Sequence, residues 1–147
     1  MPEIIRGALS RFTSSKPILV LGTDRLTLAK RRWRQCAEDG RDFGFDLESP
    51  LHNGDVFFES ETHCYAVTQT AEPVLEIPFS DHHQPTAMAL IGWNIGNLHF
   101  PIEITPSCIR VADDDALRRL FEREHIQFVE AVKVFTPTTS AVPHGDH

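Results

Sequence analysis

Cysteine is scarce in this chain, and long hydrophobic runs are absent from it. Its three cysteines, Cys36, Cys64 and Cys108, are widely spaced and form no C-x-x-C pair, so they predict neither a disulfide framework nor a zinc knuckle. We interpret them as buried free thiols. No apolar stretch approaches the roughly 20 residues of a membrane helix, and the amino terminus lacks a signal-peptide layout. These absences predict a cytoplasmic protein that does not associate with membranes.

Positive charge is also in short supply. The 14 lysines and arginines are outnumbered by 21 acidic residues, which gives a net charge of -7. Such a surface repels phosphate backbones and attracts cations, so a role in binding nucleic acid is disfavoured. One basic run, Lys-Arg-Arg-Trp-Arg at residues 30–34, carries an interleaved aromatic. RNA contact is one reading of this run, but we favour a solvated or protein-contacting strand.

The familiar catalytic motifs are missing. The chain has no G-x-S-x-G, no P-loop and no H-E-x-x-H. Three consecutive acids, residues 113–115, have the chemistry to hold Mg²⁺, but acids at the start of a helix are more often caps. We therefore expect a protein that is not an enzyme. A metal-dependent hydrolase built from His99 and Asp113 is kept as a minor alternative, and it requires the two residues to converge.

Short alternating apolar segments dominate the first half of the chain. They are separated by the turn dipeptides Asp39-Gly40 and Gly54-Asp55, and no long amphipathic helix interrupts them. We predict a small all-β domain over residues 1–74, folded as a sandwich or barrel. The expected strands cover residues 18–21, 26–28, 43–47, 56–58 and 65–67.

The second half changes character and predicts the order β-α-β-β-α-β. Pro85 opens the first helix, which we expect to end at Gly96-Asn97, and Asp113–Asp115 opens the second. Strands are expected at residues 74–77, 100–104, 108–111 and 127–135. This order is the ferredoxin-like pattern, which we assign to residues 75–136. A polar, proline-containing tail, residues 137–147, is expected to be flexible. The predicted fold class is therefore α+β.

His99 is the first candidate metal ligand. It lies between the end of the first predicted helix and the start of the next strand, and a ligand at such a junction is held more firmly than one in a loop. Imidazole suits Ni, Cu and Zn. Taken alone, however, the residue is better explained as a histidine that caps the helix.

Two tail histidines, His144 and His147, form the second candidate. They flank Gly145 and Asp146, and the glycine permits both rings to face one ion. The remaining histidines are interpreted as solvated or structural. His82 and His83 are adjacent and chelate poorly, and His125 complements the end of the second helix. His52 and His63 lie beside predicted turns and strands.

Taken in order, these features resemble the urease accessory protein E family. The resemblance covers nearly the whole chain. Its most specific piece is Ile-Gly-Asn-Leu-His-Phe-Pro at residues 95–101, which is similar to the family's Gly-Asn-x-His-x-Pro signature. The family often has a basic residue where this chain has Leu98. The other matching pieces are residues 26–28 with the basic run, Asp39-Gly40, Leu47, Leu51, residues 54–56 and residues 72–75.

The resemblance implies a nickel metallochaperone whose first domain, residues 1–74, makes the contacts with other proteins. It implies a homodimer built through the ferredoxin-like domain, in which His99 of each subunit meets its mate and His144 and His147 supply further ligands. The implied cargo is Ni²⁺, with Zn²⁺ or Cu²⁺ possible in vitro. The implied partners are the urease apoprotein and its other accessory proteins, including the GTPase. A general zinc or copper buffer with the same fold is the alternative, because imidazole sites favour Cu²⁺ over Ni²⁺.

Overall fold

The first part of the chain forms two small sheets, each containing one parallel and one antiparallel pair of strands. The computed structural model describes residues 1–9, 14–80 and 83–138. It divides into two compact units, Met1–Thr70 and Ala71–His147. In the first unit the sheet orders are β1-β4-β3 and β2-β6-β5. The elements are β1 (Glu3–Ile5), β2 (Ile18–Thr23), α1 (Arg25–Leu28), β3 (Arg32–Cys36), β4 (Asp42–Asp46), β5 (Val56–Glu59) and β6 (Cys64–Gln69).

Aromatic side chains fill the core of this first unit. The Phe43 ring meets Phe57 edge-on at 5.0 Å between centroids and Tyr65 at 5.1 Å. Such edge-to-face pairs add to the free energy that burial alone supplies. Leu21 and Val67, on the parallel strands β2 and β6, are fully buried in the same core. The expectation of a small β domain is confirmed, and so are the turns at Gly40 and Gly54, both of which have positive φ.

One predicted strand of the first unit is wrong. Residues 26–28 belong to the short helix α1, not to a strand. Asp24 precedes the helix in an extended conformation, and the Thr27 N–H donates to its Oδ1 at 2.7 Å. This N-cap satisfies a helix donor and outweighs the alternating pattern of Leu26 and Leu28. Leu28 still reaches the core and is buried.

The cysteine expectation holds for two of the three thiols. Cys64 and Cys108 are buried, but Cys36 is exposed. Cys36 follows Arg32 and Arg34 on the same face of β3, and that face points to solvent.

The second unit has the expected β-α-β-β-α-β order. Its four-stranded sheet has the order β10-β7-β9-β8, and all neighbouring strands are antiparallel. This is the strand order of a ferredoxin-like fold, and the α+β class is confirmed. The elements are β7 (Glu72–Pro78), α2 (Pro85–Asn97), β8 (Glu103–Ile104), β9 (Cys108–Ala112), α3 (Asp115–Arg123) and β10 (Val129–Lys133).

The two faces of this sheet differ in chemistry. Leu75, Ile77, Ile109 and Val111 form a buried cluster with residues of both helices. Alternate residues point to the opposite face, where Glu76 of β7 pairs in register with Arg110 of β9. The helices therefore cover an apolar face, and the other face carries charge.

The boundary between the units lies earlier than we expected. Our boundary after residue 74 falls inside β7, which begins at Glu72. The family resemblance led us to expect the junction between the domains at residues 72–75. In the structure Pro73 lies in the strand, and its carbonyl accepts the Asp113 N–H at 3.1 Å.

Two strands of the second unit are shorter than predicted. The predicted strand 100–104 is only β8 (Glu103–Ile104), and the predicted strand 127–135 is only β10 (Val129–Lys133).

None of the helices in the described parts of the chain is long and apolar enough to cross a membrane.

Candidate metal centre

His99 occupies a special position at the end of α2. The helix ends at Asn97 with Leu98 as its C-cap, and His99 follows with φ of 65°, in the left-handed region. The His99 N–H donates to the Gly96 carbonyl at 2.9 Å, and the Phe100 N–H donates to the Ile95 carbonyl at 3.4 Å. These two bonds define a Schellman motif, which satisfies carbonyls that the helix end leaves free.

The packing around this motif explains why a histidine stands where glycine is more usual. Ile95 is fully buried, and Phe100 packs against the same cluster. This apolar contact across the helix end is the usual companion of a Schellman motif. Gly96, which we expected to end the helix, lies within its last turn. The backbone at His99 is therefore held by the contact of buried Ile95 and half-buried Phe100 with the core.

The His99 side chain itself is exposed. Within the described part of the chain, its ring makes no hydrogen bond or ion pair. His99 thus caps the helix, as we expected for this residue taken alone. It does so through its backbone N–H and not through its imidazole. Its imidazole remains available to a ligand.

His125 repeats the arrangement at the end of α3. It has φ of 56°, its N–H donates to the Glu122 carbonyl at 3.3 Å, and the Ile126 N–H donates to Phe121 at 2.8 Å. His125 is also exposed. Because the strand registers place the end of α2 and the end of α3 at opposite ends of the sheet, the two histidines share a backbone geometry but not a location.

Local partners hold the other described histidines. His63 Nδ1 lies 2.9 Å from Thr62 Oγ1, and His83 Nδ1 lies 3.2 Å from Ser80 Oγ. His52 Nδ1 lies 3.7 Å from an Asp55 carboxylate oxygen. Across residues 1–9, 14–80 and 83–138, no group of three or more His, Cys, Asp or Glu side chains comes together as a metal site. His82, His144 and His147 lie outside the described residues.

The acidic run at residues 113–115 serves α3. The Asp114 side chain accepts the Ala116 N–H at 2.8 Å, which makes it the predicted N-cap. Asp113 accepts two hydrogen bonds from Arg118, at 2.7 and 2.8 Å, and these bonds lower the pKa of the Asp113 carboxyl. A carboxylate engaged in this way is poorly placed to act as a metal ligand or base, so the structure gives the hydrolase alternative no support.

The basic run likewise has a structural explanation. β3 points Arg32 and Arg34 to solvent, where Arg32 pairs with Asp46 at 3.2 Å and Arg34 pairs with Asp42. Trp33 points the other way and stacks on Phe45 with 3.9 Å between centroids. The alternation agrees with a solvated strand, and the neighbouring strand β4 pairs with two of the four positive charges in the run.

Sequence reasoning missed a charged network on the sheet face opposite the helices. Arg110 binds Glu76 at 2.7 Å and Glu103 at 3.0 Å, and Lys133 binds Glu76 at 3.1 Å. Burial opposes ionisation of Glu76, but hydrogen bonds from Arg110 and Lys133 outweigh it, so the pKa of this carboxyl is lowered. A signal was present, because Glu76 and Arg110 are the one charge in each of the predicted strands 74–77 and 108–111, and their signs are opposite.

Comparison with known proteins places this chain in one family. Residues 72–147 match the family model described as the UreE urease accessory protein, C-terminal domain. A urease accessory protein UreE of Nostoc punctiforme is 31% identical over 92% of this chain and 95% of its own length. The UreE proteins of a Bradyrhizobium species and of Albidiferax ferrireducens are 29% and 26% identical, each over 80% of this chain. This chain spans 56% of the length of the first and 70% of the length of the second. The chain belongs to the UreE urease accessory protein family.

Proposed function

We propose that the chain carries Ni²⁺ on a site centred on His99 and delivers it to the urease maturation complex in the cytoplasm. The observation that carries this proposal is the exposed imidazole of His99 on a backbone fixed by a Schellman motif. A ligand held this way needs little further ordering to bind a metal. The proposed role is that of a carrier and not an enzyme.

Tight binding requires more ligands than one imidazole. A homodimer with a two-fold axis near His99 supplies a second imidazole without any change in sequence. An apolar surface beside the His99 segment supports such a dimer. Trp93 and Ile104 line one open groove and are 63% and 58% exposed, and Leu98 is 51% exposed. Apolar surface of this kind commonly marks an interface.

The start of the tail supports His144 and His147 as the further ligands. Thr138 is described, and its N–H donates to the Ile102 carbonyl at 2.7 Å. At about 3.3 Å per residue, a chain can extend roughly 20 Å from Thr138 to position 144. Ile102 lies three residues after His99, a span of roughly 10 Å at most. Both tail histidines are therefore within reach of His99 in the same chain.

The first unit is proposed to make the protein contacts. Its partners would be the urease apoprotein and the other accessory proteins, including the GTPase. The family membership supports this assignment, and the exposed ion pairs of β3 and β4 give the unit a polar surface suited to transient contacts.

The test is nickel titration of the His99→Gly variant by calorimetry. Glycine accepts the left-handed backbone and removes only the imidazole, which makes it a cleaner change than alanine. We expect loss of most tight nickel binding, by about 100-fold or more, as the loss of a central ligand implies.

The matched control is His125→Gly. It removes an exposed imidazole from the same backbone motif at the other end of the sheet, so nickel affinity should stay unchanged. Unchanged tight binding in His99→Gly would refute the site. Competition with Zn²⁺ and Cu²⁺, and capture of urease accessory partners by the nickel-loaded protein, separate a nickel carrier from a general metal buffer.

A further inference from the structure

The segment between α1 and β3 concentrates positive charge in a protein that is acidic as a whole. Lys30, Arg31 and Arg32 line one open groove of about 530 Å³ together with Asp46 and Leu47, and we call it the basic groove. Its lining carries three cations and one carboxylate, whereas the whole chain has a net charge of -7. The groove therefore has a charge opposite to that of the molecule around it.

The single carboxylate of the basic groove is already shared by two arginines. Asp46 pairs with Arg32 at 3.2 Å and also with Arg6. Lys30 and Arg31 are exposed, and neither side chain makes a hydrogen bond or an ion pair with any residue that the structure describes. The groove thus holds two adjacent cations that no acid in the described ranges neutralises.

Lys30 differs in this respect from the other two lysines of the chain. Lys16 Nζ lies 3.3 Å from a Glu59 carboxylate oxygen, and Lys133 Nζ lies 3.1 Å from one of Glu76. The chain has 21 acidic residues for 14 basic ones, so internal partners are plentiful. Two neighbouring cations without such a partner leave positive charge for another molecule to match.

The backbone of the basic groove is held by the fold. The Lys30 N–H donates to the Thr27 carbonyl at 3.0 Å, and the Leu47 N–H donates to the Arg31 carbonyl at 2.9 Å. Leu47 and Leu28 are both buried in the core of the first unit. Because the backbone is already fixed, a ligand that binds the two cations has only their side chains to order.

We propose that the basic groove docks an acidic segment of a partner protein, which presents its carboxylates to Lys30 and Arg31. This inference rests on the proposed function, in which the first unit makes the protein contacts. Complementary charge steers association and selects among partners. Leu26, four residues before Lys30, is 68% exposed, and an apolar side chain beside the cations suits a peptide better than a phosphate. A nucleic acid is disfavoured, since its further phosphates would face a molecule with a net charge of -7.

The first test measures the binding of a fluorescein-labelled octaglutamate peptide to the full chain, by anisotropy at low salt. Lys30→Gln combined with Arg31→Gln should weaken binding by about ten-fold, since each exposed ion pair contributes modestly. The matched control is Arg119→Gln combined with Arg123→Gln, which removes the same charge from exposed positions of α3 in the second unit. It should change the affinity by less than about two-fold.

Three results of this test would overturn the inference. The first is equal weakening in both double variants, because binding would then follow net charge and not the groove. The second is an unaltered chain that does not bind the peptide. The third is tighter binding of an oligouridylate of the same charge, which would assign the groove to nucleic acid. Urea denaturation of the Lys30→Gln, Arg31→Gln protein should match that of the unaltered chain, which excludes misfolding as the cause of weaker binding.

The second test locates the contact by carbodiimide cross-linking, which joins a lysine amine and a neighbouring carboxylate as an amide with loss of water. We expect Lys30 to be the lysine joined to the peptide, as identified by mass spectrometry. Equal yields at Lys16 or Lys133 would contradict the docking site. Nickel affinity should be the same in the Lys30→Gln, Arg31→Gln protein, because neither residue belongs to the proposed metal site. His99→Gly therefore tests the nickel carrier and the peptide tests the groove, and either can fail alone.

Discussion

At the scale of single residues, the end of α2 shows what a sequence pattern can and cannot locate. The expected end at Gly96-Asn97 is correct to within two residues, but the left-handed residue is His99. Glycine's advantage in that conformation is about 1 kcal/mol, which is small beside the burial of Ile95 and Phe100. Packing therefore decides which residue takes the left-handed position, and packing cannot be read from the local sequence.

Substitutions at His99 should follow backbone strain when no metal is present. We expect His99→Gly to change the free energy of unfolding by less than about 0.5 kcal/mol, because relief of strain offsets the greater freedom of glycine in the unfolded chain. His99→Val should lower it by about 1–2 kcal/mol, since a β-branched residue is poorly tolerated at positive φ. Urea denaturation at one fixed protein concentration measures both. Equal stability of the two variants would contradict the left-handed assignment.

At the scale of elements, both helices of the second unit and their caps could be predicted because their signals are local. Pro85 begins α2 and Asp114 caps α3, as expected. The charged network could not be predicted in the same way. Glu76 and Arg110 meet only because β7 and β9 pair in one register, and Glu103 joins them from a strand of two residues. Register depends on the whole sheet, so no local pattern reveals it.

The network should make stability depend on pH. The fold lowers the pKa of Glu76, so its ionised form contributes stability that is present above the unfolded pKa, about 4.3, and is lost as the pH falls through the folded value. Glu76→Gln should therefore cost about 2–4 kcal/mol at pH 7, as expected for one partner of a buried pair, and less at pH 4. Denaturation at both pH values measures this. The exposed Glu130→Gln control should cost under about 1 kcal/mol at either pH. If Glu76→Gln loses more stability at pH 4 than at pH 7, the lowered pKa of Glu76 is contradicted.

At the scale of the whole molecule, the ordered motifs predicted the family and the α+β class. The proposed metal site, in contrast, requires ligands from outside the described residues of one chain. His99 is the only predicted ligand among the described residues, and the proposed partners for its imidazole come from a second copy and from the tail. A sequence can suggest such ligands through spacing alone. It cannot show that the Thr138 N–H donates to the Ile102 carbonyl, because that contact depends on how the whole sheet is assembled.

The proposed dimer makes a prediction about one side of α2. Trp93→Glu places a charge in the apolar groove beside the His99 segment, and we expect it to convert the dimer to a monomer and to weaken nickel binding by at least ten-fold. Light scattering coupled to size exclusion measures the mass, and calorimetry measures the affinity.

Leu90→Glu is the matched control, because Leu90 is similarly exposed on the same helix but lines a different groove. It should leave both the mass and the affinity unchanged. If the Trp93→Glu protein stays dimeric, the groove lined by Trp93 is not the dimer interface.

The exposed thiol of Cys36 has a practical consequence for all of these measurements. The other two cysteines, Cys64 and Cys108, are buried and should resist alkylation. A maleimide dye should therefore attach at one position per chain, in a different unit from His99. Mixing donor-labelled and acceptor-labelled protein would then report subunit exchange by energy transfer, in real time and without altering any proposed metal ligand.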